Sequence, residues 1–490
     1  MIASGQIPIL IFLFPFLAAI SLAFFRKRHS LSLAVTLFSL AGSASCALLG
    51  LLAVRGGAVI AYHFGGWTPP FGIEWRLDSL SAFMTVLIAA TAFVVVAATG
   101  TIQRKTIKTP SVYYMTVLLH VSALLGIILT HDLFNLFVFI EVSSLTAYAL
   151  IAAGDDSRSK VSSFRYLLVG TVGACFYLLG IGYLYAATGT LNMSDLVERL
   201  PQVMESRSVF MGILLILMGL AIKMGLFPFH AWLPDAYTYA SDPAASLIAP
   251  LVTKTAIYAF IRIFFFVFDF STMNSSGIPL ILQILGGSAV IVGAIMAFVQ
   301  TDFKRMLAYS SISHIGLIVL GISLKHPVAF MGAILHILNH AVMKAGLFLV
   351  ATAAYDRHKI RDIYDFAKLR GKMPFTLAAF VITALSMTGI PPLCGFFGKW
   401  YILIGAIQSG QTLAAVVIVL SSLLTALYFF KVIEQAFFQK PKESRAAVEE
   451  GSFPLVFSIC TIAVGVIVLG FYAPKIFRWG MQSLIPGIWG

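Results

Sequence analysis

Apolar residues recur in runs of about 20, separated by short polar stretches. A run of that length is what an α-helix needs to cross a hydrocarbon core ~30 Å thick. The period inside the runs is that of buried helices, not the alternating segments of a β-barrel. Fourteen spans are predicted, at 7–25, 31–54, 77–99, 111–130, 133–152, 163–187, 208–236, 244–268, 278–300, 306–324, 328–352, 375–404, 412–438 and 454–473. The fold class is an all-α polytopic membrane protein. The longest polar stretches, 55–76, 188–207 and 353–374, are too short for a soluble domain. In the first of them, WTPPFGIEWRLDS sets turn residues among aromatics and predicts a small hairpin.

Two spans are interrupted. Span seven runs long and contains KMGLFPFHAWLPDAY at 223–237, with a lysine, two prolines, a histidine and an aspartate; span twelve contains GIPPLCGFFG at 389–398. Paired broken helices in the two halves of a chain point to an inverted-repeat transporter. Five-span repeats, spans four to eight and nine to thirteen, place the breaks at matching positions. An odd number of spans turns the second copy upside down. The expected division is an N-terminal section at 1–110, repeats at 111–270 and 277–438, and a last span at 454–473.

Composition agrees with a membrane location: 59% of the 490 residues are hydrophobic, 11% are charged, and mean hydropathy is +0.94. The net charge of +13 lies in short clusters between spans rather than in one patch, which excludes a nucleic-acid binder. Loops on the side of Arg26–Arg28 hold 20 Lys and Arg, and those on the other side hold seven. The positive-inside rule therefore puts the basic loops in the cytoplasm and both termini outside, in the plasma membrane. The N-terminus has no basic segment ahead of its apolar run, unlike a secretory signal. Cys46, Cys175, Cys394 and Cys460 form no CxxC pair, so no metal, Fe–S centre or other cofactor is expected, and no catalytic site.

Ionisable residues deep in a span are costly and are functional candidates by default. Here they are Glu141 in span five, Lys223 in span seven, Lys254 in span eight, His336, His340 and Lys344 in span eleven, and Lys399 in span twelve. The span-eleven set, spaced i, i+4, i+8, forms one stripe covering ~12 Å of helix axis. Imidazole can accept a proton on one nitrogen and donate from the other, which suits a relay. His314 in span ten, His230 and Asp235 are secondary candidates, since a lone histidine on a helix is more often a packing residue. Lys431 and Arg262 are read as snorkelling or as pairing with Glu434 and Asp269. Desolvation and a nearby like charge disfavour an ammonium ion, and a carboxylate favours it. A lysine whose carboxylate partner comes and goes can thus take up and release a proton. A break tolerated at membrane depth implies a cavity lined by water or protein.

Taken together, KMGLFPFHAWLPDAY, DLFNLFVFIE, AYSSISHIG, NHAVMKAGLF and GIPPLCGFFGKW resemble the proton-conducting antiporter-like subunits. That family includes the large pumping subunits of respiratory complex I and of Mrp-type Na+/H+ antiporters, with relatives in membrane-bound hydrogenases and formate hydrogenlyase. The resemblance spans essentially the whole chain. It implies a fourteen-helix core with two inverted repeats, a Glu141–Lys223 charge pair, a connecting Lys254, His340 and Lys344 in span eleven, and an outlet at Lys399. That last position is glutamate in some branches. Lysine there, with the short chain, looks more like the D-type component of Mrp antiporters and the smallest antiporter-like subunit of complex I. Within those two, DLFNLFVFIEVSSLTAYALIA and the loop RHKIRDIYDFAKLRGKMP look most similar to the Mrp component and to hydrogenase-linked relatives. The implied function is proton translocation within a multisubunit Na+/H+ antiporter, with other membrane subunits as partners. The rivals are a pumping subunit of a redox complex and a stand-alone solute transporter.

Overall fold

The computed structural model describes residues 4–24, 28–106, 109–154, 156–268, 277–439 and 448–484. Seventeen α-helices carry nearly all of it. The first three, α1 (Ile7–Leu22), α2 (His29–Ala53) and α3 (Ser79–Thr106), are followed by α4 (Pro110–Leu129), α5 (Leu133–Ala152) and α6 (Ser157–Thr188). After a short α7 (Met193–Arg199) come α8 (Arg207–Met224), α9 (Trp232–Tyr239) and α10 (Asp242–Ile261), which runs into a π-helical turn at Arg262–Val267. The second half holds α11 (Ile278–Val299), α12 (Phe303–Ser323), α13 (Pro327–His358), α14 (Pro374–Thr388), α15 (Cys394–Gln408), α16 (Thr412–Phe437) and α17 (Phe453–Ser483).

Twelve helical segments among the described residues are long and apolar enough to cross a membrane, and α1 and α14 are shorter apolar helices. With α8 and α9 read as one broken crossing, and α14 and α15 as another, they correspond to the fourteen predicted spans. The boundaries differ where the apolar run stops but the helix does not. α13 extends to His358 and α17 to Ser483, because backbone hydrogen bonding continues into the polar zone. The predicted hairpin forms: β1 (Ile60–His63) pairs antiparallel with β2 (Glu74–Leu77), Ile60 facing Leu77.

The two halves repeat in local detail. Asp132 bridges Asn192 and Asp302 bridges Asp362, so both partners recur 170 residues further on. Asp132 caps α5 by accepting from Asn135 N at 2.7 Å, and Asp302 caps α12 by accepting from Arg305 N at 2.9 Å. Both bridges hold the same backbone pairs: Leu133 N donates to Leu191 O, as Phe303 N does to Arg361 O. An odd number of crossings separates the two, so they lie at opposite ends of the bundle.

Small residues let the helices close up, as expected where lipid supplies no drive for helix association. A Cβ on Gly180 of α6 would lie 2.7 Å from Gly212 O of α8, and one on Gly316 of α12 would lie 2.6 Å from Gly286 O of α11. α10, α12 and α13 are the most deeply enclosed long helices. The ionisable groups are built on and beside them.

Candidate functional site

The first break is made by Gly225, which ends α8 in the left-handed region (φ 69°). A side chain there would be strained by backbone conformation and would meet Leu233 Cδ1 at 2.8 Å. Trp232 of the second half-helix donates its Nε1 proton to Ile222 O at 3.0 Å, using a carbonyl at the end of α8. This packing holds Lys223, buried just before the break, against α5. Lys223 Nζ donates to Glu141 Oε1 at 2.8 Å and to Ser144 Oγ at 2.9 Å. The lysine side chain is 6% exposed and the glutamate 25%. The charge pair implied by the family resemblance is therefore formed.

The second break leaves α14 at Gly389 (φ 97°). Lys399, on the far half-helix α15, folds back across it: Nζ donates to Thr388 O at 3.1 Å and to Ser422 Oγ at 3.3 Å. Asn339 of α13 donates to Cys394 O at 2.7 Å and ties the break to the histidine-bearing helix.

Between the breaks lies a group of three imidazoles. His336 and His340 on α13 present parallel rings with centroids 6.1 Å apart. His314 of α12 stacks on both, at 5.2 and 5.1 Å, and its Nδ1 is 2.9 Å from His336 Nε2. That hydrogen bond holds one proton, carried by whichever ring is the donor, while the outer nitrogens of the pair stand ready to gain or lose another. His314 Nε2, His336 Nδ1 and both ring nitrogens of His340 are buried without a hydrogen-bond partner among the described residues. Buried polar atoms of that kind are ordinarily met by water. The rings stack rather than converge, and no set of three or more His, Cys, Asp or Glu among the described residues could hold a metal ion.

Two further lysines flank the group. Lys344 Nζ donates to Leu307 O at 2.6 Å and to Ser310 Oγ. Lys254, wholly enclosed on α10, donates to Ala249 O at 2.8 Å and Thr253 Oγ1 at 3.3 Å. Because α10 packs on both α8 and α13, Lys254 stands on the element joining the Lys223 break to the imidazoles. The structure thus assembles Glu141, Lys223, Lys254, His314, His336, His340, Lys344 and Lys399 on adjoining elements.

Other residues fall elsewhere. Asp235 is held by Arg165 Nη1 at 2.9 Å and Arg305 Nη1 at 3.3 Å, a clamp between the halves. His230 stacks on Phe227 beside the first break, centroids 5.4 Å apart. Arg262 and Lys431 have partners that the sequence reading does not name. Arg262 is bound bidentate by Asp78, at 2.6 and 2.9 Å; Asp269 lies outside the described residues. Lys431 donates to Phe298 O and Gln300 O rather than to Glu434, because the end of α11 offers free carbonyls within its reach.

Asp78, just ahead of α3, carries no local sequence signal, because its partner is 184 residues away. Burial pushes its carboxyl up, but the Arg262 charge and hydrogen bond, with Ser81, hold it well below the usual carboxylate range. His131, in the α4–α5 turn, is lowered to about 3 by burial and then by the Arg262 and Arg76 charges. His120 of α4 is a further buried imidazole that the sequence reading does not single out. Its Nδ1 lies 3.1 Å from Ser143 O and 3.0 Å from Thr146 Oγ1, and its place inside span four is the signal that marks it.

Residues 130–425 match the family described as NADH:quinone oxidoreductase/Mrp antiporter, TM. The chain is 43% identical over 441 residues to NADH-quinone oxidoreductase subunit N of Desulforudis audaxviator, covering 87% of each chain. It is 32% identical over 485 residues to the D-type component of the Na(+)/H(+) antiporter of Alkalihalophilus pseudofirmus, covering 98% of this chain and 96% of that one. The fold superposes on a chain of the Mrp complex from a Dietzia species with a TM-score of 0.90 at 25% identity, covering 99% and 97%.

Proposed function

This chain belongs to the NADH:quinone oxidoreductase/Mrp antiporter family, and from that premise we propose that it is a proton-translocating subunit of a multisubunit Na+/H+ antiporter. Its partners are other membrane subunits, and it is a polytopic protein of the plasma membrane. The observation that carries the reading is the Lys223–Glu141 contact at a helix break, one end of a buried array that ends at Lys399 beside the second break. In the proposed cycle, loss of the Glu141 contact releases the Lys223 proton toward Lys254. It passes the three imidazoles and Lys344 and leaves by Lys399. The division into an N-terminal section, two inverted repeats and a last span belongs to the same proposal, supported by the duplicated bridge. So does the placement of both termini on the outer side, which rests on the loop charges.

The test is Lys223→Ala in everted vesicles carrying the whole complex. Assembly should persist and cation-driven proton movement should vanish. Wild-type transport in that variant would sink the proposal. The 43% identity to a NADH-quinone oxidoreductase subunit favours a second reading, in which the same relay is driven by a redox enzyme. Co-purification in mild detergent decides between them: small antiporter subunits support the first, flavin or Fe–S subunits the second.

A further inference from the structure

Two cavities meet at Arg55. One, about 920 Å³, has a mixed lining whose charged and titratable groups are Arg55, Arg76, Asp78, His131, Glu198 and Arg262. The other, about 470 Å³, is an apolar slot between α2, α3, α13 and α17, with Arg55 at its mouth. Both fall in the ~300–1,000 Å³ range of small-molecule sites. The slot follows α3 from Phe83 to Thr91 and α17 from Trp479 back to Leu469, which is ~12–15 Å at the rise of an α-helix. It therefore runs inward from the end of the bundle, roughly parallel to the helices.

The larger cavity carries unspent positive charge. Asp78 is committed to Arg262, so Arg55 and Arg76 face only Glu198 among the acids lining that cavity. Arg76 Nε is buried without a hydrogen-bond partner among the described residues, and so is Trp479 Nε1 in the slot. An N–H donor at the mouth of an apolar slot suits a molecule that is polar at one end and greasy at the other. In a bilayer, two guanidinium groups lining the adjoining cavity, with one carboxylate left to balance them, favour a phospholipid headgroup of net negative charge.

We propose that an anionic glycerophospholipid occupies both cavities, its phosphate on Arg55 and Arg76 and one acyl chain in the slot. The chain would lie against Leu338 and Val342 of α13. These are two positions beyond His336 and His340 and so on the opposite face of that helix. The bound lipid supports the back of the imidazole-bearing helix. The binding itself does not rest on the proposed transport function.

The test uses the assembled complex in vesicles containing phosphatidylglycerol with a photoactivatable group on its acyl tail. Tail adducts should map to the slot faces of α3 and α17. Unlabelled phosphatidylglycerol should displace them better than phosphatidylcholine of the same chain length, and inorganic phosphate should not. Val342→Trp, which fills the slot, should remove the adducts. Arg55→Gln, an exposed change that spares the fold, should keep them while lowering the headgroup preference about five-fold. Absent adducts (the result if a partner polypeptide fills the slot), adducts that survive Val342→Trp, equal displacement by phosphatidylcholine, or displacement by inorganic phosphate would each overturn the assignment.

Discussion

Lys223 Nζ lies 2.8 Å from Glu141 Oε1, and among the four enclosed lysines of the array it alone has a carboxylate partner within the described residues. Lys254, Lys344 and Lys399 are held by backbone carbonyls and hydroxyls. The array has one fixed negative site and several positions that neutral oxygens can satisfy. Glu141→Gln keeps an oxygen in place and removes the charge. Translocation should fall roughly 10²-fold, the lower end of what a positioned proton-transfer group contributes, with the protein still assembled. Dye-monitored proton uptake in everted vesicles reads this, and an unchanged rate would show that the pair is structural.

The His314–His336 hydrogen bond makes the two residues one unit. His314→Gln and His336→Gln should each slow transport, and the double variant should be little slower than either, because removing one partner already breaks the shared proton path. Losses that multiply would mean the two act separately.

Asp78 is the sole ion-pair partner of the buried Arg262 guanidinium among the described residues. Removing one member of such a pair leaves an uncompensated charge, at a cost of about 3–5 kcal/mol. Asp78→Asn should therefore lower the melting temperature of the detergent-solubilised protein substantially. Asp78→Asn combined with Arg262→Gln should recover part of the loss. If both variants melted alike, the stranded-charge account would be wrong.

His131 supplies a pH dependence outside the spans. Its folded pKa, about 3, is below the ordinary value of ~6.5, so the unfolded chain takes up a proton first as pH falls. The stabilisation is complete above ~6.5 and is lost as pH drops toward 3, by up to about 1.4 kcal/mol per pH unit. Thermal unfolding at stepped pH should show His131→Gln flattening this part of the profile. A wild-type slope in that variant would assign the dependence to other groups.

Much of the architecture is legible in the residues. Run lengths predict the crossings, and Gly225 and Gly389 mark the breaks because proline and left-handed glycine leave little alternative. The buried lysines are visible because an ionisable group inside an apolar run is conspicuous. Long-range partners are not. Nothing in the local pattern links Arg262 to Asp78 or sets His314 against His336, since tertiary packing alone decides which faces meet. His314 therefore reads as a secondary candidate from sequence, although the structure places it in the middle of the imidazole stack. At the 170-residue offset it stands where the first half has Ser144, the hydroxyl that receives Lys223.

The duplicated bridge has a mechanical meaning. Asp132–Asn192 and Asp302–Asp362 each tie the start of a helix to a segment 60 residues further on, and Gly225 and Gly389 end α8 and α14 in the left-handed region. On the proposed division into inverted repeats, two units pinned at opposite ends would behave like two doors hung on opposite jambs. A swing that opened one at the first face of the membrane would be matched, in the other, by a swing at the second face.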